Sequence, residues 1–426
     1  MKLLQWMGLQ KRASDLNAMR WEAWETIGLG MTSAAGVQVT RENPITHDTV
    51  FACVNVIAEG CAMLPLYLYR LTAGGRVHAK DHPLFGLLLN SPCPHMTAFD
   101  FFKLVFFEKL HYGNHYSLVV RDPDTMQVRE LYPIENGRVQ PFWYLDDGGL
   151  QRRAYRVSGF RGEQAVFLED ELFHVQNLPI MRGPSYGLHG ISVWQMYQAE
   201  TIGGALASRR FAHKSFENGA SLSGMLSVDA KLEPSTAAAL REQIKESYAG
   251  PDNAGKIGVF GHGAKYTAMS QSNKDAQLIE TRKYDRSVIA GLLRVTAHLI
   301  NDLENGTFSN VEHLDLAHYK HCLYPHLVDL RQTLRKDTLS EDERRLYELD
   351  HDETELLRGD QKTFAEVLEK AVQNAQMTPN EARARRNLPP VPGGDKLFIN
   401  AASVTVEAAA AQTAPNEAKK EVPANE

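Results

Sequence analysis

Residues 190–219 read "GISVWQMYQAETIGGALASRRFAHKSFENG", and how this stretch folds decides the architecture around it. It reads as one long helix of roughly 27 residues, about 40 Å, closed by Asn218-Gly219. A second long helix, "NKDAQLIETRKYDRSVIAGLLRV", opens at Ser272, with Asp275 three residues on. Between the two lies an insert of about 50 residues: strand-like "LSGMLSV", a helix from Pro234 to about Tyr248, then "KIGVFGHGAKYTAM". Two long helices bracketing a small tip module form a projecting stalk, a different object from a compact catalytic core.

Upstream, residues 1 to about 45 carry few periodic apolar positions and read as a loosely ordered arm. Order begins at "THDTVFACVNVIAEGCAMLP", where Val50, Phe51, Val54, Ile57, Ala58 and Cys61 recur at helical spacing and Pro65 ends the helix. "PLYLYRLTAGGRVHA" alternates and turns at Gly74-Gly75, a hairpin. Thr97 and Asp100 cap the next helix, whose "AFDFFKLVFFEKL" is broken by charge and suits a buried helix. From Asn114 to about Leu178, short alternating runs separated by Asp-Pro, Asn-Gly and Asp-Gly predict antiparallel strands.

Downstream, "NDLENGTFSN" is a polar loop, and Ser309 with Glu312 boxes the start of a third long helix. Leu316, Tyr319, Leu323, Leu327, Leu330 and Leu334 give that helix an apolar seam, and Pro325 predicts a kink. "SEDERRLYELDHDETE" is strongly acidic and reads as a solvated face. In "TPNEARARRNLPPVPGGD" (378–395), Thr378, Pro379 and Glu381 start a helix that must stop before Pro389. Residues beyond Asn400 are rich in Ala, Glu, Pro and Lys and carry no aromatic, the composition of a disordered tail.

The bulk numbers bound the function. A chain of 426 residues, 43% hydrophobic and 23% charged, has an ordinary globular composition and room for two or three packed regions. No run approaches the ~18 apolar residues a membrane helix needs, and residues 1–12 lack the sustained apolar core of a signal peptide. Four scattered cysteines without a C-x-x-C pair fit reduced thiols. At −6, the net charge lacks the basic surplus of a protein that grips nucleic acid by its phosphates.

Catalytic signatures are sparse. His313, His318, His321, Cys322 and His326 crowd one helix, with His318, Cys322 and His326 at i, i+4 and i+8. Zinc could use such atoms, although there is no H-e-x-x-H pattern, and packing histidines are the plainer reading. No P-loop and no G-x-S-x-G occurs, so neither P-loop ATP hydrolysis nor a nucleophile elbow is written here, and no cofactor motif is present. "ASRRFAHK" and "ETRKYDR", both on the paired long helices, read either as a DNA-gripping surface or as helix–helix salt bridging.

Five stretches, in order and without large gaps, resemble the portal proteins of HK97-type tailed bacteriophages. They are "DTVFACVNVIAEGCAMLPLYLYR" (48–70), "SFENGASLSGML" (215–226), "MSQSNKDAQLIETRKYDRSVIAGLLRV" (269–295), "NDLENGTFSNVEHLDLAHY" (301–319) and residues 356–395. One departure is "RVTAHLI", where that family often carries a proline pair. The resemblance implies an α+β portal fold. Its parts would be an N-terminal arm (1–45), a mixed wing (46–187), a first stem helix (188–218), a clip (219–271) and a second stem helix (272–300). A tunnel loop (301–310), a kinked wing helix with a strand (311–358), a helical crown (359–400) and a tail (401–426) would follow. It further implies a structural ring of about twelve subunits at one capsid vertex of a virion, assembled in the host cytoplasm. That ring would pass double-stranded DNA, dock the terminase motor and later a head-tail adaptor, and meet the major capsid protein or scaffold, with no enzymatic activity. Asp302, Leu303, Glu304, Asn305, Thr307 and Phe308 are the DNA-facing candidates, and Lys245, Glu246 and Tyr248 are the clip contacts. The competing classes are a metal-dependent nucleic-acid hydrolase and a monomeric scaffold or adaptor.

Overall fold

A computed structural model describes residues 31–32, 36–40, 43–159, 162–179, 186–197, 201–217, 224–227, 265–268, 272–302, 311–352, 361–386 and 388–398, plus isolated positions between 233 and 242. It divides into two units, residues 1–351 and 352–426, each taken by itself below.

The first unit begins earlier than the sequence pattern suggests. Strands β1 (Met31–Thr32) and β2 (Gln38–Val39) pair antiparallel, and Val37 and Val39 sit in the main core. The expected loose arm therefore holds structure from residue 31; two buried valines are too few to register as a period. Helix α1 (Asp48–Ala62) buries Val50, Cys53, Val54, Ile57, Ala58 and Cys61, spaced by threes and fours. Phe51, one step off that stripe, is 49% exposed, and Cys53 takes its expected place.

Strands β3 (Leu66–Thr72) and β4 (Gly75–His78) form the predicted hairpin. Thr72 pairs with Gly75, so the turn residues are Ala73-Gly74, one position earlier than expected. A short helix absent from the sequence reading follows: α2 (Pro83–Leu89), started by Pro83 and by the His82 ring accepting from Leu84 N. In α3 (Ala98–Tyr112) Thr97 Oγ1 accepts from Asp100 N at 3.1 Å, as the capping pattern requires.

The strand-rich region makes two three-stranded antiparallel sheets. In the first, β5 (Asn114–Arg121) lies between β6 (Val128–Ile134) and the later β10; in the second, β7 (Val139–Leu145), β8 (Gln151–Ser158) and β9 (Gln164–Leu168) run in order. A small core of Tyr116, Val139, Tyr155, Phe167 and Leu172 joins residues of both. Strand β10 (Leu172–Gln176) is followed by β11 (Leu178–Pro179), which pairs with β12 (Gly190–Ile191).

That last pair corrects the reading of the opening stretch. Gly190 and Ile191 are strand, and the helical segment starts at α4 (Val193–Tyr197). Ser192 N donates to Gln195 Oε1 (2.8 Å) and Gln195 N to Ser192 Oγ (3.3 Å), a reciprocal capping box that sets the start. Helix α5 (Gly203–Glu217) follows, with residues 198–200 outside the described set. Strands β13 (Gly224–Ser227) and β14 (Lys265–Ala268) pair antiparallel, as their apolar runs predict. The long α6 (Ser272–Leu292) then packs on both α1 and α5, with Ala205, Leu206, Ile289, Ala290 and Leu293 in the shared core.

The third long helix is continuous in residues but not in pitch. Helix α7 (Val311–His318) passes through a π turn (Tyr319–Leu323) into α8 (Tyr324–Thr338). Pro325 cannot donate to the carbonyl four residues back, and the chain answers with a widened turn just ahead of it. Such a turn rotates the upstream face. Leu323, Leu327, Leu330 and Leu334 are buried as expected, whereas Leu316 is 63% exposed.

The acidic run is also more structured than a solvated face. After a turn of helix, α9 (Glu343–Leu346), strand β15 (Tyr347–His351) pairs with β3, with Leu349 and His351 buried. Asp350 accepts from both Arg76 Nη1 and Arg331 Nη1 at 2.6 Å. The second unit carries α10 (Gln361–Gln373) and α11 (Pro379–Arg385), the latter opened by the predicted Thr378/Glu381 capping box.

Two glycines hold the first unit together where β5 meets β12. Gly113 has φ 83, and a Cβ there would stand 2.6–2.7 Å from the backbone of Gly190, Ile191 and Ser192. Neither strain nor clash can be relieved by a rotamer change, because the contacting atoms are backbone. Gly113→Ala is therefore expected to cost about 2 kcal/mol or more, read as a lowered urea midpoint, whereas Gly137→Ala, in open space, changes little. Equal midpoints for the two variants would contradict this packing.

Candidate functional site

The site with the clearest design is the pair of described segments that flank residues 303–310, the tunnel-loop candidate of the sequence. Helix α6 ends at Leu292 in a left-handed Arg294 (φ 58), with Val295 N donating to Ala290 O (3.0 Å) and Arg294 N to Gly291 O (3.1 Å). This crossed pair is the Schellman stop. A turn of 3-10 helix (Ala297–Ile300) repeats it at once. Asn301 is left-handed (φ 64), Asp302 N donates to Ala297 O (3.0 Å), and Asn301 N to His298 O (3.2 Å). Two successive stops reverse the chain within ten residues, in the "RVTAHLI" segment where a proline pair had been expected of a relative.

The flanking segments are then pinned to each other. Arg286 Nη2, on α6, donates to Ile300 O at 2.9 Å. His298 Nε2 meets Asp315 Oδ1 of α7 at 2.8 Å, joining the chain before residue 303 to the helix after residue 310. Cys322 Sγ donates to Leu293 O at 3.2 Å, joining the π turn to the end of α6. None of these anchors was singled out from sequence for this role, because each acts across a turn and no linear spacing encodes it. Asp302 lies at the foot, partly buried. Leu303, Glu304, Asn305, Thr307 and Phe308 lie outside the described residues, as do Lys245, Glu246 and Tyr248 and the Ser309 cap.

With this geometry in view, comparison with known proteins identifies the family. Residues 48–387 match the model of the family described as phage portal protein. The chain belongs to the phage portal protein family. It is 28% identical over 374 residues to the portal protein of Enterobacteria phage HK97, covering 86% of this chain and 85% of that one. The probable portal protein of Streptomyces phage phiC31 is 27% identical over 395 residues, 89% of this chain and 83% of that one. Among solved structures, the neck of an empty gene transfer agent particle, computed with C6 symmetry, superposes with a TM-score of 0.56 at 20% identity, covering 86% of this chain and 97% of that one. An HK97-family phage portal protein from Corynebacterium diphtheriae gives 0.52 at 17% identity, over 78% of this chain and 99% of that one. The α+β portal fold expected from the sequence is the fold observed.

Within that portal fold, the histidine-rich helix is used for packing. Cys322 is buried, its thiol pushed up to about 12 by desolvation and already committed to Leu293 O. Desolvation, then the Lys109 ammonium, brings His326 down to about 3; its Nδ1 lies 3.2 Å from Lys109 Nζ. The same buried ammonium holds Asp329 Oδ2 at 2.6 Å. His318 is buried and its pKa lowered by desolvation. Atoms thus engaged are poor metal ligands, and among the described residues no three His, Cys, Asp or Glu side chains are placed to hold an ion. Nothing in this histidine-rich helix, among the described residues, favours the hydrolase alternative.

The Pro/Gly segment of the second unit is likewise structural. The Asn380 side chain donates to Val391 O (3.1 Å) and Asp395 Oδ1 (2.8 Å) and accepts from Val391 N (2.8 Å). A Cβ on Gly394 would stand 2.4 Å from the Asn380 amide. Glycine is present so that the loop can close against α11, with Asn380 as the clasp.

Buried imidazoles give this portal subunit an acid limit. Burial lowers His111 and His351 each to about 4 and His174 well below the ordinary value, beside His326 at about 3. Below pH ~6.5 the unfolded chain binds protons that these folded imidazoles refuse, so stability is lost as pH falls toward 4. Asp337 acts in the opposite sense: burial raises its carboxyl to about 6, so the folded form is the better proton binder between about pH 4 and 6. Four imidazoles outweigh one carboxyl. Stability is expected to fall from pH 7 to pH 5, approaching about 1.4 kcal/mol per pH unit for each excess proton, read as a lower melting temperature; a flat or rising profile would contradict the burial assignments.

Proposed function

We propose that this chain is the subunit of a ring-shaped phage portal at one vertex of the virion, a channel without enzymatic activity. The observation that carries the reading is the family match across residues 48–387 together with the loop braced by Arg286, His298 and Asp315. A ring is supported by relatives whose particle necks were computed with C6 and C12 symmetry. Twelve copies is our working number.

In this reading residues 46–187 form the wing and α5 with α6 the stem. The β13–β14 module is the clip and residues 301–310 the tunnel loop. The helix and strand at 311–358 complete the wing, and α10 with α11 belong to the crown. Double-stranded DNA passes through the ring, the terminase and later the head-tail adaptor dock at the clip, and the major capsid protein or scaffold surrounds the wing. Assembly takes place in the host cytoplasm.

The charge suits a conduit. At −6 per chain, twelve copies carry about 70 negative charges, which favours sliding of a polyanion over gripping it. Asp302 and Glu304 bring no cation to the loop, so its contacts with DNA are steric and transient, with Asn305 and Phe308 foremost.

Native mass spectrometry of the purified chain, with images of the same sample, is expected to give closed rings with a central hole; a chain that stays monomeric as concentration rises would count against the reading. Removal of Leu303–Phe308 is expected to spare the ring and impair DNA packaging or retention, since a braced loop can be shortened without loss of core. Normal packaging by that variant would move the DNA-facing segment elsewhere. Charge reversal at Lys245 and Glu246 should weaken terminase or adaptor docking to intact rings, and unchanged docking would remove these residues from the clip contact.

A further inference from the structure

A concave site of about 290 Å³ lies where the start of α1 meets α5 and α6, lined by His47, Asp48, Thr49, Ala205, Arg209, Arg282, Lys283, Asp285 and Arg286. Four cations face two carboxylates there. The cations come from the two basic stretches that had been open to either a DNA-gripping or a salt-bridging reading. Salt bridging is not how these guanidinium groups are held. Arg209 Nη1 donates to the Thr46 carbonyl, and Arg286 Nη2 to the Ile300 carbonyl. Among the described residues, no carboxylate lies within ion-pair distance of Arg209, Arg282 or Arg286. A guanidinium bound to a carbonyl is fixed in place with its charge intact.

The third wall is the N-terminus of α1, a helix of 15 residues with no side-chain cap. Its first N–H groups lack intrahelical partners, and the helix dipole adds positive potential at that end. His47 is an independent sign. It is only 9% exposed, and its Nδ1 makes no hydrogen bond; the Asp48 Oδ1, 3.2 Å away, lies off the line such a bond requires. A buried polar atom without a hydrogen bond, on the lining of a cationic cavity, is open to a ligand atom. Of the carboxylates, Asp48 sits in the first turn of α1 with its side chain largely exposed, and Asp285 is hydrogen-bonded to Ser208.

We propose that this cavity binds a phosphate group, held by Arg209 and Arg282 with the first turn of α1 behind it. Two sources fit the chemistry, the backbone of duplex DNA and free inorganic phosphate. The first rests on the channel reading above and the second does not. For DNA, one such site per subunit would give a mildly acidic ring a set of discrete cationic contacts without making its whole wall adhesive.

The test compares wild-type full-length protein with Arg282→Gln and Arg282→Glu, an exposed side chain that makes no hydrogen bond or ion pair among the described residues. Melting is measured in sodium phosphate and in sodium chloride at matched ionic strength. The expected result is a rise of a few degrees specific to phosphate in the wild type, halved or lost in both variants, whose melting in chloride matches wild type. Binding of a short duplex over a salt series then separates the sources. A salt slope shallower by about one unit in the variants assigns the site to DNA, and an unchanged slope assigns it to free phosphate. No phosphate-specific rise in the wild type, or equal rises in all three proteins, overturns the proposal. So does a variant that loses only assembly mass, which would make the cavity a contact between neighbouring subunits. Ring formation, read on the same samples by native mass, reports on the channel reading separately.

Discussion

A single buried amide carries much of the first unit. Asn114 is the first residue of β5, and its side chain clasps both backbone groups of Gly190: Nδ2 donates to Gly190 O at 2.8 Å and Oδ1 accepts from Gly190 N at 2.7 Å. The same Oδ1 takes a bond from His174 Nε2 at 3.0 Å, which leaves His174 Nδ1 to accept from Tyr155 at 3.1 Å. Burial keeps that imidazole neutral, as an alternating donor–acceptor chain demands. His174 N in turn reaches Asp337 Oδ2 on α8. One network thus ties β5, β8, β10, β12 and the third long helix, and it closes only because Gly113 and Gly190 bring their backbones together without side chains between them. Since every member is satisfied only when the others are placed, the network specifies one arrangement of the strands and the approach to α4.

The loop supports depend on that arrangement. Helix α6 is positioned by packing on α1 and α5, and only then does its end present Leu293 O to Cys322 and Ile300 O to Arg286. Charge is handled in two ways in this region. Asp350, between Arg76 and Arg331, is neutralised and serves packing. Arg209 and Arg286 are anchored by carbonyls and keep their charge. In a chain of net charge −6 this second kind of placement leaves guanidinium charge uncancelled by a carboxylate among the described residues.

The sequence by itself determined whatever rests on neighbours along the chain. Helical spacing in α1, the Thr97 and Thr378 caps, the β3–β4 hairpin, the strand-rich middle and the order helix–insert–helix were all legible, because each needs only a period, a cap or a turn residue. The five family-like stretches carried the portal reading for a similar reason, being local strings in a fixed order. Only the tertiary structure decided the rest. That Gly190 is strand follows from its pairing with Pro179, that Leu316 points outward follows from a π turn that begins three residues after it, and that β15 is a strand follows from β3 beside it. The candidate sites divide the same way. The polarity of residues 301–310 marks them as a loop candidate in the sequence, but the cations that gather around α1 come from positions up to about 240 residues apart. Linear patterns report on contacts the chain makes with itself nearby, and a site built between distant helices exists only once they have packed.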